Sequence, residues 1–433
     1  MIEYFEGVII SLVLWGCAGG WLIAFGFLVR IKLVTPELET FPVPNPTGES
    51  LPKVTAIVPA RNEAGAIEKC LLSLLAQEGI ELSVIAVNDR SDDATGEKMV
   101  ELSRKNPRLE VIHVKELPKG WLGKNHACHL ASTQAKGDWL LFTDGDVSFE
   151  PSAVLRALKL AEFHGLGHLA VSPRMITRGR LERAFQATFG ILFSLNFNLW
   201  RLQTPGSRAY VGLGAFNLVR RSDYEQIGGH RPLAMEVLDD VKLGLLLRRG
   251  GVAQGFASGG GLVSVRWQPG FRASLKGLQK NLFAGTEWRW AVVISGSFFL
   301  SLSVLAPWVG LLLASGAQNQ IWQIPPSWAY YFPALLGGLA PISILGVAVW
   351  KMFPAEKPVW FPGLEGLAAP LAVLIFVAAL IMSATMATLR GGIFWRETFY
   401  PLRELKQGCV RESSYPAHGA PGWAAVYPPQ SRE

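Results

Sequence analysis

Four long apolar stretches flank a charged middle, and they limit the fold of this chain more than any other feature. Residues 7–29 carry no charged side chain and end at Arg30 and Lys32. Three further apolar segments lie near 291–313, 329–350 and 367–389. At about 1.5 Å per residue, each can traverse a bilayer core of about 30 Å. The chain opens Met1-Ile2-Glu3, with no basic leader and no small-residue cleavage site after its first apolar run, so that run is expected to remain as an anchor. The basic pair behind it predicts a cytoplasmic domain.

Between and beyond these stretches the composition changes. Residues 35–52 (TPELETFPVPNPTGESLP) read as a Pro-rich linker. The expected division is an anchor over 1–34, this linker, a globular domain over 53–290, a membrane region over 291–390 and a polar tail over 391–433 that is mobile from Tyr415. One span before the domain and three after it would leave the tail across the membrane. Arg390, Arg396, Arg403 and Lys406 predict the opposite, so either one segment is re-entrant or interfacial or the charge tendency fails here.

Only 17% of residues are charged, against roughly 25% in an average soluble domain, and half are hydrophobic. That balance implies membrane contact and excludes a disordered or collagen-like chain. The net charge of +7 suits anionic lipid or phosphorylated substrates. Cys17, Cys70, Cys128 and Cys409 are far apart and form no CxxC pair. They are read as reduced packing residues, not as a zinc site or disulfide framework.

Residues 53–146 alternate strand and helix patterns. VTAIV (54–58), LSVIAV (82–87), LEVIHV (109–114) and DWLLFT (138–143) read as buried strands, with helical spacing over 64–77, 92–105 and 123–136. This order predicts an α/β domain with a parallel sheet covered by helices on both faces. Ligands of such sheets bind beyond the carboxyl ends of the strands. Strand one runs into Pro59-Ala60-Arg61-Asn62-Glu63, strand two into Asn88-Asp89-Arg90-Ser91-Asp92-Asp93, and strand four into Asp144-Gly145-Asp146. Carboxylates are thus expected along one edge, which is costly without a cation or a donor-rich ligand.

Asp144-Gly145-Asp146 permits a tight turn with two acids able to grip a hard divalent cation and a sugar hydroxyl. An Asx-turn ending the strand is the plainer alternative. Gly120-Trp121-Leu122-Gly123-Lys124-Asn125 offers helix-start amides and a lysine to a diphosphate, or is simply a helix start with a solvated lysine. It is not a P-loop. Glu236-Val237-Leu238-Asp239-Asp240 opens another helical run, where acids can cap the helix, supply a general base, or do both.

Taken together, VPARNEA (58–64), VNDRSDD (87–93), GWLGKNHA (120–127), TDGDV (143–147) and LDDVKLG (238–244) resemble family 2 glycosyltransferases of the GT-A fold. VGLGAFNLVRRSDYEQIGGH (211–230) and WRETFYPL (395–402) are similar to the ceramide glucosyltransferase-like, carotenoid and hopanoid-associated branches. The resemblance implies a mixed, mainly parallel sheet and inverting transfer of a sugar from a nucleoside diphosphate donor, usually UDP-linked. It also implies Mg2+ or Mn2+ and a lipid or isoprenoid acceptor.

Carried over residue by residue, Pro59, Glu63 and Asp89 would line the nucleoside, and Lys124 would contact the diphosphate. Asp144 would sit near ribose or metal, and Asp146 would ligate the metal. Asp240, with Asp239 before it, would supply the base. Gly214, His230, Gln279 and Lys280 fall on the acceptor side, although a turn histidine satisfied by its own surroundings reads equally well.

Related polysaccharide synthases and ceramide glucosyltransferases carry Q/R-x-x-R-W after the acidic pair. Gln279-Lys280-Asn281-Leu282-Phe283 and the later Arg289 do not complete it, which favours a single transfer to another lipid. A processive polysaccharide synthase and a non-catalytic membrane scaffold are the rival readings. No G-x-G-x-x-G follows the first strand, and the basic residues are scattered, so neither a dinucleotide nor a nucleic-acid partner is expected.

Overall fold

The computed structural model describes residues 2–42, 51–204, 206–316, 328–352 and 364–413. Residues 43–50 of the expected linker, the Pro-rich stretch 353–363 and the tail end from Tyr415 lie outside the described residues.

The chain starts with helix α1 (Ile2–Val34), followed by β1 (Lys53–Ala60), α2 (Ile67–Leu75), β2 (Glu81–Asp89) and α3 (Thr95–Lys105). Next come β3 (Leu109–Val114), α4 (Gly123–Ser132), β4 (Trp139–Phe142), β5 (Val147–Phe149) and α5 (Ala153–Phe163). β6 (His168–Ser172), β7 (Arg174–Met175), α6 (Arg180–Asn196), β8 (Asn217–Arg220) and α7 (Arg221–Gln226) continue the chain. They are followed by α8 (Asp239–Arg249), β9 (Gln254–Ser258), β10 (Val263–Val265) and α9 (Phe271–Gly285). The last elements are α10 (Trp290–Gly316), α11 (Trp328–Met352), α12 (Ala369–Leu389), β11 (Gly392–Trp395), β12 (Thr398–Pro401) and α13 (Leu402–Gln407).

These elements form two compact units. One comprises residues 34–176, 197–267 and 391–413, and the other comprises 2–33, 177–196 and 268–390. The first is an α/β unit around a seven-stranded sheet in the order β3-β2-β1-β4-β8-β6-β9. β3, β2, β1 and β4 are parallel, β8 is antiparallel to both neighbours, and β9 is parallel to β6. The fold class is therefore the expected one, mixed and mainly parallel. Val54 to Ala60 are buried without alternation, as strands covered on both faces must be. Ile67, Cys70, Leu71 and Leu74 of α2 pack on that face.

The expected boundaries need three corrections. Residues 177–196 and 268–290, read as part of the globular domain, belong with the apolar helices. Their helices α6 and α9 carry a polar face, which hid them among soluble text. Residues 391–413, read as tail, supply β11, β12 and α13 to the sheet unit. Residues 35–42 do not hang free: Arg156 donates to the carbonyls of Leu38, Glu39 and Phe41, and Ser258 N–H donates to Pro36 O at 2.9 Å.

In the other unit, α1, α10, α11 and α12 each contain a segment long and apolar enough to cross a membrane. Cys17 and Trp21 donate to the carbonyls of Leu302 and Ser303. Gly310 faces Leu14 and Ala334, and Gly337 faces Pro307, so α11 runs antiparallel to α10. Just before α12, Gly366 lies against the Ile342 carbonyl halfway along α11. α12 ends where Trp290 Nε1, at the start of α10, donates to Thr388 Oγ1 at 3.2 Å. α12 therefore runs in the direction of α11. Residues 391–413 fold with 34–176 in the sheet unit, on the far side of this apolar region in the sequence.

Candidate active site

The site lies at the carboxyl ends of β1, β2 and β4. Beyond β1 and β2 the backbone turns through left-handed conformations at Asn62 (φ 57°) and Arg90 (φ 55°). The two loops are laced together. Asp92 N–H donates to Asn62 Oδ1 at 2.9 Å, Glu63 N–H to Thr95 Oγ1 at 2.8 Å, and Ala64 N–H to Asp93 Oδ2 at 3.1 Å. Asp93 is held below the usual carboxylate range because its bonds from Thr95 and Ala64 outweigh the effect of burial. Asp89 is buried and grips Arg90 through two bonds of 2.8 and 3.2 Å.

At the end of β4, Asp144 N–H donates to Gly214 O at 2.9 Å and Thr143 Oγ1 to Ala215 O at 2.7 Å, which docks the 212–216 segment against the acidic turn. A Cβ on Gly214 would lie 2.5 Å from Asp144 Oδ2 and 3.3 Å from Asp240 Oδ2. Two carboxylates from distant parts of the chain thus meet over Gly214, where a Cβ would force the Asp144 carboxylate to shift. Asp240 Oδ1 accepts from Val241 N–H at 2.9 Å, which fixes its rotamer at the start of α8.

Lys124 completes this corner. Its Nζ is 3.0 Å from Asp144 Oδ1 and 3.3 Å from Asp239 Oδ2. The start of α4 is held there by Asn125, whose amide donates to the carbonyls of Leu233 and Glu236, and by Leu122 N–H to Ala234 O at 2.7 Å. Burial alone would lower the lysine pKa, but Asp144, Asp239 and Asp240 outweigh it and hold the ammonium charged. Asp239 is pushed up to about 6 by burial, against the pull of Lys124 and with help from Asp240 and Asp144.

His230 is buried, with its Nδ1 2.7 Å from the Tyr224 hydroxyl and its ring against Phe142. Burial, then Lys124, push its pKa down to about 3, so it is neutral at physiological pH. Its partners are structural, although it lines a cavity of about 10 Å³ with Pro59, Lys124, Asp239 and Asp240.

Asp146 is pushed up to about 7 by burial, Asp144 and Glu63, with Arg396 pulling the other way. Burial and the two neighbouring carboxylates outweigh the Arg396 guanidinium there. Among the described residues, no three His, Cys, Asp or Glu side chains converge closely enough to hold a metal by themselves. The paired acids instead suit an ion that keeps waters and shares diphosphate oxygens, as Mg2+ does with one or two carboxylates. Asp144 and Asp146 are hard oxygen donors of the kind that a divalent cation takes.

Of the residues expected from sequence, Lys124, Asp144, Asp239, Asp240 and Gly214 form one corner, and Asp146 and Glu63 share an electrostatic field beside it. Asp89 has Arg90 as its partner. Gln279 and Lys280 lie on α9 in the other unit, where Ser383 Oγ donates to Gln279 O. Sequence reasoning missed the β11–β12 hairpin. Arg396 bonds Glu63, Arg61 donates to Thr398 Oγ1 at 3.2 Å, and Gly123 N–H points at Tyr400 OH at 3.4 Å. Further along, Val410 N–H donates to the buried Glu236 at 2.8 Å. The signal is the aromatic run IFWRETFY (393–400) within the expected polar tail.

Residues 55–228 match the model of Glycosyl transferase family 2. A "4,4'-diaponeurosporenoate glycosyltransferase" of Staphylococcus haemolyticus is 26% identical over 247 residues, covering 55% of this chain and 64% of the relative. The protein of that name from Staphylococcus aureus is 29% identical over 235 residues, covering 54% and 61%. The chain thus spans less than two thirds of the length of these curated relatives. Among solved structures, a mannosyltransferase from Pyrobaculum calidifontis in complex with GDP-Man and Mn2+ aligns over 88% of this chain and 99% of its own, at 18% identity and a TM-score of 0.48. Glucosyl-3-phosphoglycerate synthase from Mycobacterium tuberculosis aligns over 52% and 77%, at 18% identity and a TM-score of 0.33.

Proposed function

Because residues 55–228 carry a family 2 glycosyl transferase domain, we propose that this protein is an inverting hexosyltransferase acting at a membrane. It moves one sugar from a nucleoside diphosphate sugar, a UDP-hexose, to a hydroxyl of a lipid or isoprenoid. The observation that supports this most is the meeting of Asp144 and Asp240 at Gly214, beside Lys124. A leaving-group site and a candidate base share one corner there.

In this reading Glu63, Asp89 and Pro59 line the nucleoside, and Lys124 contacts the diphosphate. Asp144 and Asp146 hold Mg2+ or Mn2+, which when bound neutralises charge growing on the leaving diphosphate. The acceptor oxygen attacks the anomeric carbon as the bond to the diphosphate breaks, and the acceptor proton passes to Asp240. Proton transfer of this kind contributes about 10²–10⁴ in rate. Asp239, held by Lys124, positions the start of α8. Gly214 gives the acceptor side its close approach.

The acceptor class draws support from the relatives named for diaponeurosporenoate and from the four apolar helices. Nucleotide sugars are cytosolic, so the sheet unit faces the cytoplasm. The test incubates membranes bearing the protein with radiolabelled nucleotide sugars and follows label into extractable lipid. Metal-dependent labelling of lipid is expected. Label only in insoluble polymer overturns the single-transfer reading, and no label with no donor hydrolysis overturns the enzyme.

A further inference from the structure

The hairpin after α12 lies outside the residues that match the family domain, yet it reaches the strand-end loops. Its two turn residues, Arg396 (φ 42°) and Glu397 (φ 65°), both adopt left-handed backbone. Such two-residue turns normally use Asn-Gly or Gly-Gly, because other side chains are strained there. The strain is carried at the tip that meets the site. Arg396 pairs with Glu63, and Arg61 bridges to Thr398 Oγ1 at 3.2 Å and to Glu397 at 3.7 Å. At the base of the hairpin, Tyr400 lies beside Gly123 N–H and Arg90. Arg396 is also close enough to Asp146 to favour its charge.

The Arg396 side chain is 41% exposed, so a ligand can reach it. Its planar fork suits a phosphate as well as a carboxylate. We infer that the β11–β12 hairpin is a wall of the donor pocket, and that Arg396 at its tip positions the donor's diphosphate. This inference rests on the glycosyltransferase reading. Glu63 keeps the guanidinium over the acidic edge, Thr398 and Tyr400 fix the hairpin against the β1 and β2 loops, and a diphosphate brought there meets a fork that is already oriented.

The test measures donor and acceptor kinetics in detergent for the full chain and for Arg396→Ala, Arg396→Lys and Thr398→Val, using the nucleotide sugar that labels lipid best. UDP binding is titrated in parallel. Losing a charge-assisted bond to phosphate predicts a donor KM raised about 10- to 100-fold in Arg396→Ala, with acceptor KM unchanged and kcat within about threefold. Arg396→Lys recovers part of the loss, and Thr398→Val shows a smaller loss of the same kind. Unchanged donor KM in Arg396→Ala and Thr398→Val, beside an active parent, overturns this role alone. A fall in kcat without a donor KM change, not rescued by lysine, overturns it as well. A parent that neither transfers sugar nor binds UDP overturns the glycosyltransferase reading.

Discussion

Lys124 of α4 and Asp239 of α8 face each other at 3.3 Å, a pair that links two helices at the corner where Asp144 also ends. Asp239 is only 7% exposed and Lys124 22%, so neither charge is well solvated. Breaking a buried pair leaves an uncompensated charge and costs about 3–5 kcal/mol. Lys124→Met should therefore lower stability by about 3 kcal/mol. Lys124→Met with Asp239→Asn should recover most of that loss while donor affinity stays low, since the lysine also serves the diphosphate. Thermal unfolding in detergent and nucleotide titration separate the two effects.

Asp240 differs from Asp239 in being half-buried, with Oδ2 turned toward Gly214. Asp240→Asn should lower kcat for a hydroxyl acceptor by about 10²–10⁴ with the melting temperature unchanged. An acceptor that attacks through a carboxylate arrives already deprotonated, so the same variant should transfer to it at near-parent rate. Paired assays with an alcohol lipid and its acid analogue check this, and equal loss on both would remove the base role.

Gly214 gives a purely steric test. A methyl there would sit 2.5 Å from Asp144 Oδ2 and 3.3 Å from Asp240 Oδ2, so at least one carboxylate has to move. Gly214→Ala should cost about 10²-fold in kcat, the usual effect of a misplaced reacting group. Single-turnover rates at saturating donor measure it.

The parallel half of the sheet was legible because β1, β2, β3 and β4 are short buried runs separated by helices with clear apolar spacing. The carboxylates at their ends followed from topology alone. What was not legible involves contacts between residues distant in sequence. Glu63 read as a nucleoside ligand, but only the fold shows that Arg396 is its partner. His230 could be a ligand or a packed ring, and only the fold shows it held by Tyr224 and Phe142 at the edge of the cavity. α6 and α9 were misassigned because a helix with one polar face reads the same beside a sheet or beside apolar helices. Gln279 and Lys280 went with them.

The return of the chain to the sheet unit predicts its topology. Residues before and after the apolar stretch 268–390 share one body, so both must lie on one side of a membrane. Exposed cysteines introduced at Lys69 and Arg403 should react together with a membrane-impermeant maleimide, and only once the cytoplasmic face is opened. Labelling of one without the other would place α2 and α13 on opposite sides.

Asp146 links the cation to pH. Its pKa of about 7 in the folded chain lies above the ordinary 3.8, because burial, Asp144 and Glu63 disfavour its charge. For a carboxyl group raised on folding, stability is greatest when it is protonated and declines as pH rises from about 4 through about 7. A divalent cation favours the ionised form and must displace the proton below about pH 7. The gain in melting temperature on adding Mg2+ or Mn2+ over a chelator should therefore be largest near pH 8 and shrink below about pH 7. Asp146→Asn should remove most of the gain at every pH. Melting scans across pH 5.5–8 with and without metal read both effects, and a gain independent of pH, or one that survives in the asparagine variant, would move the cation away from Asp146.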